Sequence, residues 1–391
     1  MSRIAVVLGA GVGGLTASAE LRASLPNSDE VILVDRAFSG ALGLSSLWIL
    51  RGWRTLDDIR VTPTEDALPG VSMTTATVER IDTDARTVHC DTGPIHYDAL
   101  VIALGAEMNP SALPGLVQAL ESDDACQFYT PEAAERLHRK LAMFESGRIG
   151  VLVTRLPYRC PAAPYEAAFL ISDFLGERFT SGAVRVEVFT PEPLPMPVAG
   201  LDVGKAVVGM LEARGIGFHS EKTATSIEPA PRTVTFADAD TEVFDLLAVV
   251  PPHTAPAAVR DSAVAGPGGW IPVDPATLAT HVPGVWAIGD NTALILSNGK
   301  PLPKAATFAE GEGAAAAHQV ARYLGYDVPD TRFTGVGGCY VEIGGALAAK
   351  GEGEFLASPS PLVTLHGPNA DFHEEKQLQE REWLARWNIG L

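Results

Sequence analysis

Cysteine is scarce in this chain of 391 residues, and the four present exclude a disulfide-stapled scaffold. Cys90, Cys126, Cys160 and Cys339 show no Cys-x-x-Cys spacing, and no His-x-x-x-His spacing accompanies them, so no metal site is expected. Basic residues are outnumbered, 29 against 48 acidic, for a net charge of −19. That argues against nucleic acid and anionic lipid as partners, since both are negatively charged. No apolar run approaches the length of a bilayer-spanning helix. The first strand begins three residues after Met1, so no signal peptide is expected. The expectation is a cytoplasmic protein, with peripheral contact to a membrane left open.

What is present is ample apolar material, 46% of the chain, enough for two or three domains. The rest of the sequence is organised around residues 4–35. Ile4-Ala-Val-Val-Leu8 reads as a short buried strand and runs into Gly9-Ala-Gly11-Val-Gly-Gly14. Helical periodicity follows over 15–25, then a second apolar strand, Val31-Ile-Leu-Val34, ending on Asp35. Gly9 permits the tight bend, Gly11 lets backbone approach a pyrophosphate, and Gly14 lets helix and strand pack closely. The helix start offers free N–H groups and a positive dipole end to the same pyrophosphate. Asp35 is placed to accept hydrogen bonds from an adenosine ribose. Strand, turn, helix, strand and terminal acid agree, and together they predict dinucleotide binding.

Alternating strands are predicted across 71–104, the last of them a buried run ending at Gly105. Cys90, one strand earlier, reads as a packed core thiol. Pro110, Pro114 and an acidic stretch at 121–124 suggest a crossover, followed by a helix capped by Thr130 with Pro131 in its first turn. A strand at 149–153 opens a second βαβ unit. The turn after it lacks the glycines that a nicotinamide-binding half requires. It reads Thr154-Arg-Leu-Pro-Tyr-Arg-Cys160-Pro-Ala-Ala-Pro-Tyr-Glu166, and prolines fix the backbone and remove donors. No tight NAD(P)H site is expected there. Cys160 stands at a helix start beside Arg159, two features that favour the reactive thiolate. An inert buried cysteine is the alternative.

Further strands and helices are predicted at 184–189, 201–215 and 244–252. Val285-Trp-Ala-Ile-Gly289-Asp290 then ends a strand on Gly-Asp, and Lys304 precedes an alanine-rich helix over 305–324. Lys304 can face a flavin pyrimidine and stabilise negative charge on it, or remain a solvated surface lysine. Gly338-Cys339 lies in a glycine-rich β segment that allows close backbone approach to something flat. The last helix, over 373–387, carries Trp383, Leu384 and Trp387 on one face, which points to docking or homodimer packing.

These features resemble the sulfide:quinone oxidoreductase and flavocytochrome c sulfide dehydrogenase branch of the FAD-dependent disulfide oxidoreductases, in the pyridine nucleotide-disulfide oxidoreductase superfamily. The carriers are the Gly9–Gly14 turn, 97–105, Cys160-Pro-Ala-Ala-Pro-Tyr-Glu166, 285–290, Pro303-Lys304 and Gly338-Cys339. The resemblance implies an α/β fold with two Rossmann-like domains, the FAD domain discontinuous, plus a small C-terminal α+β segment. The implied boundaries are 1–108 and 255–330 for the FAD domain, 109–254 for the second domain with a degenerate NAD site, and 331–391 for a flavin-capping segment. It places Gly9, Gly11, Gly14, Asp35, Gly105, Gly289, Asp290 and Lys304 at the cofactor, with Asp290 beside the ribityl chain.

By the same resemblance, Cys160 and Cys339 form a redox pair across the flavin. Sulfide would attack their disulfide and leave a persulfide, and the second thiolate would reduce FAD. Glu166 is the acid/base candidate, or else a structural partner of Arg155 or Arg159. Residues 39–50 lack the cysteine that holds flavin covalently in the flavocytochromes, so non-covalent FAD is implied. Where the quinone reductases carry a Gly-His-Leu-Gly segment, this chain reads Glu192-Pro-Leu-Pro-Met-Pro-Val-Ala-Gly200. The acceptor therefore stays open between a quinone, a cytochrome and another redox protein. The competing readings are an NAD(P)H-dependent flavin reductase of the type II NADH dehydrogenase kind and a non-catalytic flavin-binding partner or sensor.

Overall fold

The computed structural model describes residues 2–230 and 232–388. Met1 and the last three residues of the predicted C-terminal segment lie outside the described residues. The first unit is β1 (Ile4–Leu8), α1 (Val12–Ser24) and β2 (Glu30–Asp35). A short helix, α2 (Ser46–Arg51), precedes β3 (Ser72–Thr75) and β4 (Ala99–Ile102). The second unit contains β5 (Ala125–Gln127), α3 (Pro131–Ala142), β6 (Gly147–Val153) and α4 (Ala163–Leu175). It continues with β7 (Val184–Phe189), α5 (Leu201–Arg214), β8 (Gly217–His219) and β9 (Leu246–Val250). After these come β10 (Val285–Ala287), α6 (Ala306–Tyr323), the strands β11 (Val336–Gly344), β12 (Leu347–Glu354) and β13 (Leu362–Asn369), and α7 (Ala370–Trp387).

Two five-stranded parallel sheets result. The first has the order β10-β4-β1-β2-β3, so the chain returns to it after the second sheet is complete. The second has the order β5-β9-β6-β7-β8. Their central strands are continuous apolar runs because helices cover both faces of a parallel sheet; every residue of β4 and β9 is buried. Thr130 caps α3 as its sequence predicts, its side chain accepting from the Ala133 N–H with Pro131 at the first turn.

The third layer is the antiparallel sheet β11-β12-β13, from which α7 folds back over the first two units. Trp383 joins the core shared with α4 and the second sheet, and Trp387 joins the core of the first. This corrects the expectation of docking or dimer packing through the tryptophan face: that face is spent inside the chain. The buried positions of α7 are His373, Lys376, Glu380, Trp383 and Trp387, a stripe spaced three and four residues apart. Three of the five are ionisable or polar.

Candidate active site

The turn from β1 to α1 is built for a dinucleotide. Gly9 adopts φ +97°, and a Cβ on Gly14 would stand 1.8 Å from the Gly9 carbonyl oxygen, so glycine is required at both positions. Gly11 is the N-cap of α1, has no side-chain cap, and a Cβ there would meet nothing within 4 Å. The helix start is thus open to an anion. The Asp35 carboxylate takes N–H donors from Ala10 at 2.9 Å, Ala37 at 2.9 Å and Phe38 at 3.0 Å. It braces the loop, and of about four acceptor positions on a carboxylate one is left for a hydroxyl.

Gly105 follows β4 with φ +71°. Gly289, after β10, donates its N–H to the buried Glu312 carboxylate of α6. Burial holds the Glu312 carboxyl up at about 7, and burial likewise raises that of Asp290. Lys304 is no surface lysine. Its ammonium donates to the carbonyl oxygens of Asp290 (2.6 Å) and Thr292 (3.0 Å) and lies 3.8 Å from the Trp270 ring centre. Burial lowers it to about 8. A glycine cradle that only a close ligand fills, an uncapped helix start and buried polar groups around Gly289 fit a bound dinucleotide.

Cys160 lies in the turn between β6 and α4 with φ +55°, a conformation that costs a residue with a Cβ about 1–2 kcal/mol. Two hydrogen bonds hold it: its N–H donates to Lys304 O at 2.7 Å, and its carbonyl accepts from Ala163 at 2.9 Å. Cys339 is in the middle of β11. Both are free thiols. They stand near enough that charge on Cys339 raises the Cys160 thiol, and both feel the same Glu166 and Lys376.

Burial works against the thiolate expected for Cys160. Burial pushes its thiol well above the ordinary value and that of Cys339 up to about 11. The helix start still contributes, since the Ala163 N–H favours the thiolate, but Arg159 turns away to donate to Tyr129 O at 2.7 Å. Lys376 is the cation that opposes the burial. Glu166, for its part, pairs with neither Arg155 nor Arg159. Its carboxylate accepts from Lys376 Nζ at 2.7 Å, both side chains being buried. Burial raises Glu166 to about 7, against the pull of Lys376. The glycines before Cys339 serve the protein's own backbone: a Cβ on Gly338 would lie 2.4 Å from Gly351 O, in the adjoining strand.

Where a second phosphate loop would stand, side chains fill the space. Tyr158 and Tyr165 donate to the buried Glu192 carboxylate at the end of β7, and Thr190 adds a third donor at 3.1 Å. Two cavities flank the cysteine region. One, of about 430 Å³, is almost wholly apolar and is lined by Pro157, Pro161, Val198, Phe355 and Leu365 together with Cys339. The other, of about 410 Å³, is lined by Trp48, Trp53, Arg51, Arg54 and His373. Among the described residues, no group of three or more His, Cys, Asp or Glu is placed to hold a metal.

Lys376, Glu342 and His373 are the residues that sequence reasoning missed. For His373 and Lys376 the signal was present as the 373-376-380-383-387 spacing, which continues the tryptophan face as one buried stripe.

The family described as pyridine nucleotide-disulphide oxidoreductase matches residues 4–313. The chain is 24% identical over 299 residues to the mitochondrial sulfide:quinone oxidoreductase of Mus musculus, covering 74% of this chain and 65% of that protein. It is 30% identical over 238 residues to the sulfide-quinone reductase of Aquifex aeolicus (strain VF5), covering 59% of this chain and 53% of that one. The matches thus span between half and two thirds of these relatives. Among solved structures, the sulfide:quinone oxidoreductase of Aquifex aeolicus superposes with a TM-score of 0.85 at 22% identity, covering 99% of this chain and 92% of that one, which speaks to the fold. With the glycine cradle, the two parallel sheets and a match over most of its length, the chain belongs to the pyridine nucleotide-disulphide oxidoreductase family, whose members bind FAD.

Proposed function

We propose that this chain is an FAD-dependent oxidoreductase that oxidises sulfide, or a related small thiol or persulfide, through Cys160 and Cys339. The observation that carries the reading is that these two cysteines, distant in sequence, are near enough to feel each other's charge and share one buried Glu166–Lys376 pair. Bound FAD supplies the two-electron redox chemistry. Lys376 favours the thiolate form of each cysteine against the cost of burial. Glu166, held at about 7, has both protonation states available near neutrality, which suits a group that takes up and gives back a substrate proton.

The apolar cavity at Cys339 suits a quinone better than a charged acceptor or a nicotinamide, and the names of the curated relatives pair sulfide with quinone. No described helix is long and apolar enough to cross a membrane, so a bilayer quinone would be met by peripheral contact. The Tyr158–Tyr165–Glu192 packing of the β6–α4 turn weighs against an NADH-reducible enzyme. Stopped-flow reduction of bound FAD by sulfide is the test: a Cys160→Ser variant should lose at least a hundredfold in rate. Equal rates in native and variant protein would remove the cysteines from the chemistry.

A further inference from the structure

Four buried titratable side chains span the distance between the tryptophan-lined cavity and the sulfurs. His373, on the cavity wall, meets the Glu342 carboxylate through Nδ1 at 2.9 and 3.1 Å. Lys376 Nζ lies 3.7 Å from Glu342 Oε1 and 2.7 Å from Glu166 Oε1. Trp48 fixes Glu342 by donating its indole N–H at 3.1 Å, and Gln377 holds the outer face of the imidazole at 3.0 Å. Glu342 is wholly buried, Lys376 and Glu166 nearly so. Structural ion pairing alone does not call for this composition: two carboxylates face one ammonium, leaving one negative charge without a balance in a place where an isolated charge is costly. A single added proton balances it. That proton has two sites, the imidazole at the cavity and Glu166 at the sulfurs.

We propose that His373, Glu342 and Lys376 form a proton relay that joins Glu166, beside Cys160 and Cys339, to the Trp48–Trp53 cavity. The inference rests on the function proposed above. A cysteine thiolate and H₂S yield a cysteine persulfide anion, two protons and two electrons: two S–H bonds break and one S–S bond forms. The electrons go to the flavin together with one of the protons. The other proton leaves a buried site, and the cluster gives it a route to a cavity lined by Arg51, Arg54 and His373 beside the two tryptophans. Other charged groups facing the cluster are already paired. From α7, Glu380 takes Arg54 at 2.8 Å, and at the cavity rim Arg51 pairs with Asp173 at 2.6 Å. The two thiols also interact with Glu166 and Lys376. None of His373, Glu342 and Lys376 is assigned contact with substrate; they are positioning residues acting through Glu166.

The test uses the FAD-loaded protein, sulfide as reductant and a pH-indicator dye in weak buffer. In the native enzyme, proton appearance should keep step with flavin reduction. In His373→Ala, which opens space in the cavity, reduction at pH 7 should slow about tenfold, and added imidazole should restore it, with substituted imidazoles ranking by their basicity. A second readout needs no turnover. The NMR titration of His373 in Glu166→Gln should show its proton affinity lowered at least tenfold, because removing one carboxylate removes the unbalanced charge. A folded His373→Ala protein that reduces at the native rate overturns the relay, as does one that is slow but indifferent to imidazole. An unchanged His373 titration in Glu166→Gln does so too. A native protein that sulfide does not reduce, by contrast, defeats the proposed function and the relay with it.

Discussion

Lys376 is nearly inaccessible to water, yet it carries a charge among two carboxylates. Removing one member of such a group strands the others, at a cost of about 3–5 kcal/mol. Lys376→Met should therefore lower the thermal midpoint by many degrees, read by circular dichroism, while exposed Lys205→Met leaves it unmoved. Two carboxyls give the molecule a pH dependence of the opposite sense to ordinary ion-paired acids. Glu166 and Glu312 are both raised from 4.5 to about 7 by burial, so the folded state binds their protons more tightly than the unfolded chain. Their contribution to stability is full below about pH 4.5 and is lost as the pH rises through 7. Unfolding midpoints should fall between pH 5 and 8, and Glu312→Gln should flatten that slope. At this scale Cys160, Glu166 and Cys339 stood out in the sequence because motifs carry them. Lys376 did not, since nothing local distinguishes it from the solvated charged residues of the same helix. Nor did local sequence reveal that burial would outweigh Arg159 at the Cys160 thiol.

Among the elements, the turn from β1 to α1 is the one whose purpose sequence spelled out. A Cβ on Gly14 would collide with Gly9 O, so Gly14→Ala should give protein that folds poorly and purifies with little flavin, seen as loss of absorbance near 450 nm. Strand and helix identities were legible wherever period and punctuation agreed. The Thr130–Pro131 helix start and the Val184–Phe189 strand lie where the residues predict. The helix α7 was legible as a helix and misread as an interface. Its stripe seats Trp387 among residues of the first sheet's core, and Asn388 ties the end down by accepting from the Thr62 N–H at 2.8 Å. Trp387→Ala should cost about 3–5 kcal/mol in denaturant unfolding, as expected for an aromatic removed from a packed core.

For the molecule as a whole, two nucleotide-type sheets hold one nucleotide-type cradle. Adding NADH at micromolar concentration to the oxidised protein should leave the flavin spectrum intact over minutes, whereas rapid bleaching would mean that the Tyr158–Tyr165–Glu192 closure opens. Relative placement was the least legible layer. Periodicity gives each sheet, but which side chains meet across the third layer depends on how β11 and α7 return to the first two. That return also sets a sequence of events in synthesis. The cradle and Cys160 emerge from the ribosome first, whereas Cys339, Glu342, His373 and Lys376 come far later in the sequence. N-terminal units fold as they appear. A nascent chain that has made only the cradle and Cys160 therefore lacks Cys339 and the charged groups around it.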